Sequence, residues 1–150
     1  TKTDKISIEK CWSLGMVLGV DPLELFVASR PAIDQKYRDA AERAKLFRAT
    51  SVETTDFSLL IRKLRTQMDY SLRNVSNYLP HTPAAAFQLS AGFLSQLETN
   101  FRGLASTVSG EKLWALGVLF NIDPLLLYVL SRGLDRSLLD HKNRQRLFGL

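Results

Sequence analysis

The side chains best suited to catalysis or metal binding are two histidines, one cysteine and fifteen acidic residues, and their spacing supports neither chemistry. His81 and His141 lie sixty residues apart, with no cysteine or carboxylate cluster beside either at ligand spacing. A zinc site needs three or four converging donors. No GxSxG elbow, Walker loop or GxGxxG fingerprint occurs. The acidic residues are scattered among lysines and arginines, which is ordinary ion-pair patterning. We therefore expect no enzyme, no bound metal and no small-molecule cofactor. What remains is the chemistry of charge and hydrogen bonding. Residues 1–56 carry nine basic and nine acidic side chains, while residues 57–150 carry eleven and six, so the whole net charge of 11 − 6 = +5 lies in the second part. A mild positive field suits a phosphate-bearing partner.

The elements that must position these groups are announced by self-similarity. SIEKCWSLGMVLGVDPLELFVASR (7–30) and SGEKLWALGVLFNIDPLLLYVLSR (109–132) match at 13 of 24 positions, at an offset of 102. Arg43, Leu46 and Phe47 are echoed by Arg144, Leu147 and Phe148 at an offset of 101. Each copy spells a helix, a corner and a second helix. Ser7 and Ser109 can accept from the free amides of a first turn. Apolar residues follow at helical spacing: Trp12, Leu14, Met16 and Leu18 in one copy, Leu113, Trp114, Leu116, Leu119 and Phe120 in the other. Gly19 and Asn121 tolerate the left-handed conformation that ends a helix. Asp21-Pro22 and Asp123-Pro124 then cap and open the next helix. Cys11 stands where the other copy has Leu113, which predicts a buried, inert thiol. The copies imply an ancestral unit of about a hundred residues, of which the first copy lacks the front half, the counterpart of residues 57–106.

Pro31 opens a predicted helix over 31–48, with Ile33, Tyr37, Ala40, Ala44 and Phe47 on one stripe. Asp34 with Arg38, and Asp39 with Arg43, are expected to pair on its outer face at i,i+4. Residues 49–55 read as a linker. Asp56 caps a helix with the stripe Phe57, Leu60, Ile61, Leu64 and Met68, leaving Arg62, Lys63 and Arg65 outside it. Ser71 caps a short helix over Leu72–Leu79, and Ser90 caps another in which Leu94 and Leu97 face inward while Ala91, Gly92, Ser95 and Gln96 face outward. Thr82-Pro83 can start a short turn through Ala84–Phe87. Residues 133–150 repeat a basic helix more weakly, with HKNRQR (141–146) as a solvated face.

Five helices in this order resemble the helix-turn-helix domain of the phage repressor and Cro group, the XRE family. The resemblance is carried by IRKLR (61–65), SLRNVSNYL (71–79), SAGFLSQLE (90–98) and EKLWALGVLFNIDPLLL (111–127). One departure is the connection PHTPAAAFQL (80–89), longer than the few residues the family uses there. The expected fold is all-α, a lambda-repressor-like bundle with a partial internal repeat. The expected organisation is a partial repeat over 1–30, a connecting helix and linker over 31–56, the complete unit over 57–132 and a basic helix over 133–150.

The resemblance implies that the third helix of the complete unit enters the DNA major groove N-terminus first. Ser90 and Ala91 then sit at its leading end. Gln96 can pair with an adenine edge, Ser95 can donate or accept, and Phe93 can pack on a thymine methyl. Ser71, Arg73 and Arg102 become candidates for phosphate contacts. The expected partner is double-stranded DNA, bound by two units through a homodimer or through the two copies in one chain. The competing reading is a protein-interaction module that keeps the helical fold without binding DNA. No 18-residue apolar run and no apolar leader segment occur, so we expect neither a membrane span nor a signal peptide, and a cytoplasmic protein.

Overall fold

The computed structural model describes residues 6–48, 52–78 and 87–148, with the side chains of 76–78 excepted. Among these residues the chain is all-helical. The α-helices are α1 (Ile8–Leu18), α2 (Pro22–Ala28), α3 (Ala40–Leu46), α4 (Phe57–Gln67), α5 (Leu72–Tyr78), α6 (Ala91–Glu98), α7 (Gly110–Phe120), α8 (Pro124–Ser131) and α9 (His141–Phe148). Short 3₁₀ turns occur at Gln35–Tyr37, Phe101–Ser106 and Arg136–Leu139.

Local chemistry sets most of the boundaries. Side chains of Ser7, Asp21, Asp56, Ser90, Ser109 and Asp123 each accept from an amide of the following first turn. Gly19 and Asn121 end α1 and α7 in the left-handed region, at φ 69° and 56°. Gly15 and Gly117 have a second role at these corners. A Cβ on Gly15 would lie 2.5 Å from the Val20 carbonyl oxygen and 2.8 Å from Pro22 Cγ. On Gly117 it would lie 2.8 Å from the Ile122 carbonyl oxygen and 2.6 Å from Pro124 Cγ. Only a bare backbone lets the second helix of each pair turn back this closely.

Two expectations from periodicity fail. Residues 31–48 do not form one helix. Asp34 and Asp39 are N-caps, accepting from Lys36 N (3.0 Å) and Glu42 N (3.0 Å). The segment is therefore a 3₁₀ turn followed by α3. The two expected surface pairs are absent: Arg38 donates to the carbonyls of Val27, Arg30 and Ile33, and the buried Arg43 donates to Tyr37 O and pairs with Glu24. A short acidic side chain next to free amides caps them, in preference to reaching one helical turn along. The basic segment at 133–150 likewise narrows to the turn Arg136–Leu139 and α9, and Asp140 accepts from Lys142 N at 2.9 Å. The expected turn at 84–87 lies outside the described residues except for Phe87, and Leu79 also lies outside them.

The two helical pairs α1–α2 and α7–α8 grip each other through matched contacts. The ring of Trp12 lies 5.7 Å from Tyr128, and that of Trp114 lies 6.0 Å from Phe26. Trp12 also meets Phe148 at 6.2 Å, as Trp114 meets Phe47 at 5.3 Å. Arg30 Nε donates to Glu111 Oε2 at 3.1 Å, and Arg132 Nε donates to Glu9 Oε2 at 3.0 Å. Each of these arginines also donates to its serine neighbour, Ser29 or Ser131, at 2.7 Å, and to a main-chain carbonyl, Ile6 or Val108. Arg144 stands between the pairs. It donates to Asp21 Oδ2 at 2.8 Å and to Asp123, so one guanidinium ties the caps of α2 and α8 together. Burial alone would favour a neutral Arg144, but the two carboxylates outweigh it and raise its pKa. Arg144 is thus an inward-facing clasp, which corrects the expectation of a solvated face at this one position, while His141, Lys142, Gln145 and Arg146 are exposed as expected.

The remaining helices, α4 to α6, cover one side only. α4 packs on α8 and on α6, and α5 packs on α6. Ile61, Val75, Leu94 and Leu97 join Leu116, Leu125 and Leu127 in a single core, each essentially inaccessible. The matching stripe of α1 has no such cover. Leu14, Met16 and Leu18, apolar residues that recur at helical spacing in the sequence, are exposed.

Candidate nucleic-acid interface

α6 is the element whose exposed side chains best fit recognition, and its neighbours hold it in place. Ser90 Oγ accepts from Phe93 N at 3.0 Å and fixes the helix start. Leu94 and Leu97, three residues apart, are both fully buried and pin one face to the core. Arg65 forms a two-point pair with Glu98, Nε to Oε2 at 2.6 Å and Nη2 to Oε1 at 2.8 Å, and also donates to Tyr70 O. The hydrogen bond to Glu98 raises the Arg65 pKa. Ser58 Oγ donates to Leu97 O at 2.6 Å. A fork-to-fork arginine–carboxylate pair sets orientation as well as distance. The α6 helix is thus fastened to α4 at its C-terminal end.

The opposite face is open. Ser90, Gly92, Ser95, Gln96 and Thr99 are exposed, and nothing lies within 4 Å of a Cβ placed on Gly92. Thr99 returns its hydroxyl to Ser95 O and Gln96 O. Among the described residues the side chains of Ser95 and Gln96 have no hydrogen-bond partner, so both keep their full donor and acceptor capacity for a ligand.

The other predicted site residues divide into two groups. Ala91 is partly buried at the leading end. Phe93 is also partly buried, packed against the core, with Lys112 Nζ 5.5 Å from its ring centroid. It supports the helix from the side and is not on its outer edge. Ser71 is exposed, but its hydroxyl accepts from Asn74 N and its amide donates to Asn74 Oδ1, both at 3.0 Å. That reciprocal cap occupies the amide a phosphate would use. Arg73 is exposed on α5. Arg102 is exposed in the turn after α6, at φ 53°, with its guanidinium 5.0 Å from the Phe101 ring. Arg62 and Lys63 are exposed on α4. These cations therefore sit on the three elements that pack against α6.

Sequence reasoning overlooked Lys112. Its ammonium reaches across to Gln88 O and to the face of Phe93, and desolvation lowers its pKa. It ties α7 to the segment leading into α6. The signal was the identical pair Glu-Lys at 9–10 and 111–112, charged residues kept in both copies. The long connection before α6 re-enters the core through Phe87 and Leu89, both buried, and its residues 79–86 lie outside the described set.

The arrangement offers hydrogen-bonding side chains on a rigid helix with flanking positive charge. Among the described residues no group of three or more His, Cys, Asp or Glu could hold a metal ion. No helix among them is long and apolar enough to cross a membrane. Comparison of the chain with family models, curated proteins and solved structures gives no match.

Proposed function

We propose that the chain is a sequence-specific DNA-binding regulator built as a lambda-repressor-like bundle of the XRE kind, with α6 as its reading helix. The observation that carries this reading is the pairing of an anchored inner face with an open outer one. Leu94, Leu97 and Glu98 fix α6, while Ser95 and Gln96 stand exposed and unengaged. A reading helix needs this combination, because base-edge hydrogen bonds discriminate only when the donors are held in register. Arg62, Lys63, Arg73 and Arg102 supply non-specific attraction to phosphate. Helices α4 to α8 follow the five-helix order of the family, and α1–α2 is a second copy of the last two. The matched contacts between the pairs support that duplication. They also consume the surface on which two such pairs meet, so one chain carries one reading helix. A homodimer would therefore have to form through another surface.

Selection of the intact chain on random duplexes, followed by binding to the enriched site across a salt series, tests the proposal. The expected result is one preferred sequence and affinity that falls steeply as salt rises. Retention of no duplex even at low salt would refute DNA binding. A second reading, a protein-interaction module, draws on one specific observation: the apolar side of α1 is bare. An unpartnered apolar stripe is an interaction surface in many proteins.

A further inference from the structure

The matched contacts between the two helical pairs allow a residue-by-residue comparison of what covers α1 and what covers α7. Leu14, Val17 and Leu18 of α1 are 41%, 82% and 62% exposed. Their counterparts at the offset of 102 are Leu116, Leu119 and Phe120, which are 0%, 7% and 8% exposed. The surroundings of the pairs share several further contacts. Trp12 and Trp114 have reciprocal ring partners across the interface, Phe148 lies on Trp12 as Phe47 lies on Trp114, and the arginine–glutamate contacts are mutual. The difference that bears on the stripe is the α4–α6 unit, which stands on the α7–α8 side: α4 packs on α8, Lys112 bonds to Gln88 O, and Ser131 Oγ donates to Ala105 O.

We infer that the exposed stripe Leu14–Val17–Leu18 is the seat for a second three-helix unit of the same build as residues 57–106, joined ahead of Ser7 as the first is joined ahead of Ser109. The seat is shaped by the same corner as its occupied counterpart, with Gly15 and Gly117 admitting Pro22 and Pro124 in the same way. Exchange of α4–α6 units between two copies of this chain does not meet the requirement. Each chain has two stripes and one α4–α6 unit, so an exchange between molecules always leaves one stripe bare. With the seat filled, the matched contacts would relate two α6-type helices by an approximate two-fold axis. The inference about the seat itself does not depend on DNA binding.

The test lengthens the full chain with a duplicate of residues 52–108 placed directly ahead of Ser7, and reads amide hydrogen exchange along α1. Filling of the seat is expected to slow exchange at α1 at least tenfold relative to the original chain. Val17→Asp is expected to reverse that slowing in the lengthened chain, while leaving the original chain folded, since Val17 is almost fully exposed. Unchanged exchange at α1, or a lengthened chain that cannot fold, overturns the inference. So does sedimentation of the original chain as a dimer that Val17→Asp returns to monomer, because the stripe then belongs to a second copy. The exchange readout needs no nucleic acid, so a failure here is separate from a failure to bind duplex.

Discussion

Removal of Arg144 is the sharpest test of how the molecule is held together. Its side chain is 18% exposed, and those of Asp21 and Asp123, whose carboxylates it joins, are 6% and 7% exposed. Arg144→Met keeps the apolar stem and leaves two buried anions facing each other across the gap between α2 and α8. Breaking a buried pair by deleting one partner costs about 3–5 kcal/mol. Two features pull the value toward the lower end. Each carboxylate keeps one amide bond, from Leu23 N and Leu125 N at 2.9 Å, and the opening over Arg144 admits some water. We expect a loss of about 3 kcal/mol. The cost is one of unpaired charge and not of lost packing. Adding Asp21→Asn and Asp123→Asn should therefore restore most of it, because asparagine caps a helix about as well as aspartate and carries no charge. The pKa of Arg144 is raised above its already high ordinary value, so its stabilisation is present at every pH below that value and should be constant from pH 6 to 9. Urea unfolding followed by tryptophan fluorescence is the natural assay, since Trp12 and Trp114 both lie where the pairs meet. A loss below about 1 kcal/mol for Arg144→Met would show a surface-like pair. Failure of the asparagine replacements to recover stability would show that uncompensated charge is not the cause.

Further consequences follow from single positions. Gln96→Ala is expected to weaken binding to the selected duplex by about 1–3 kcal/mol, with thermal stability unchanged; equal affinity by fluorescence anisotropy would remove Gln96 from the reading set. Gly117→Ala should destabilise by about 1–3 kcal/mol, because the new methyl meets the Ile122 carbonyl as well as Pro124. Gly92→Ala should instead stabilise by about 0.5–1 kcal/mol, since that helix position faces open space; calorimetry on the two variants should give shifts of opposite sign. Burial pushes the Cys11 thiol up to about 11 from 9, so only the unfolded chain ionises as pH passes 9. The stability it supports is present below pH 9 and is lost by pH 11, roughly 2–3 kcal/mol in all. Cys11→Ala should remove that part of the alkaline decline and leave the part due to Tyr37 and Tyr128, whose phenols burial also pushes up, so unfolding curves at pH 8, 9.5 and 11 should show a shallower fall in the variant.

The sequence determined what depends on a few adjacent residues. Ser7, Asp21, Asp56, Ser71, Ser90, Ser109 and Asp123 cap their helices as read, and Gly19 and Asn121 stop theirs, because a side chain and an amide two or three residues on meet in almost any context. The same short range explains the error at 31–48, where Asp34 and Asp39 were read as partners along one helix and are the caps of two pieces. Along α6, the alternation of Leu94 and Leu97 with Ser95 and Gln96 already separated an anchored side from an open one. Only the tertiary structure decided which charges meet. Arg144 closes on Asp21 across 123 residues, and Arg132 on Glu9 across the same distance. A basic residue on a helix reads the same whether its partner is water or a distant carboxylate. Nor does an apolar stripe state whether it is covered. Leu14, Val17 and Leu18 resemble Leu116, Leu119 and Phe120 in type and spacing, and their opposite fates depend on which bundle of helices the folded chain lays against them.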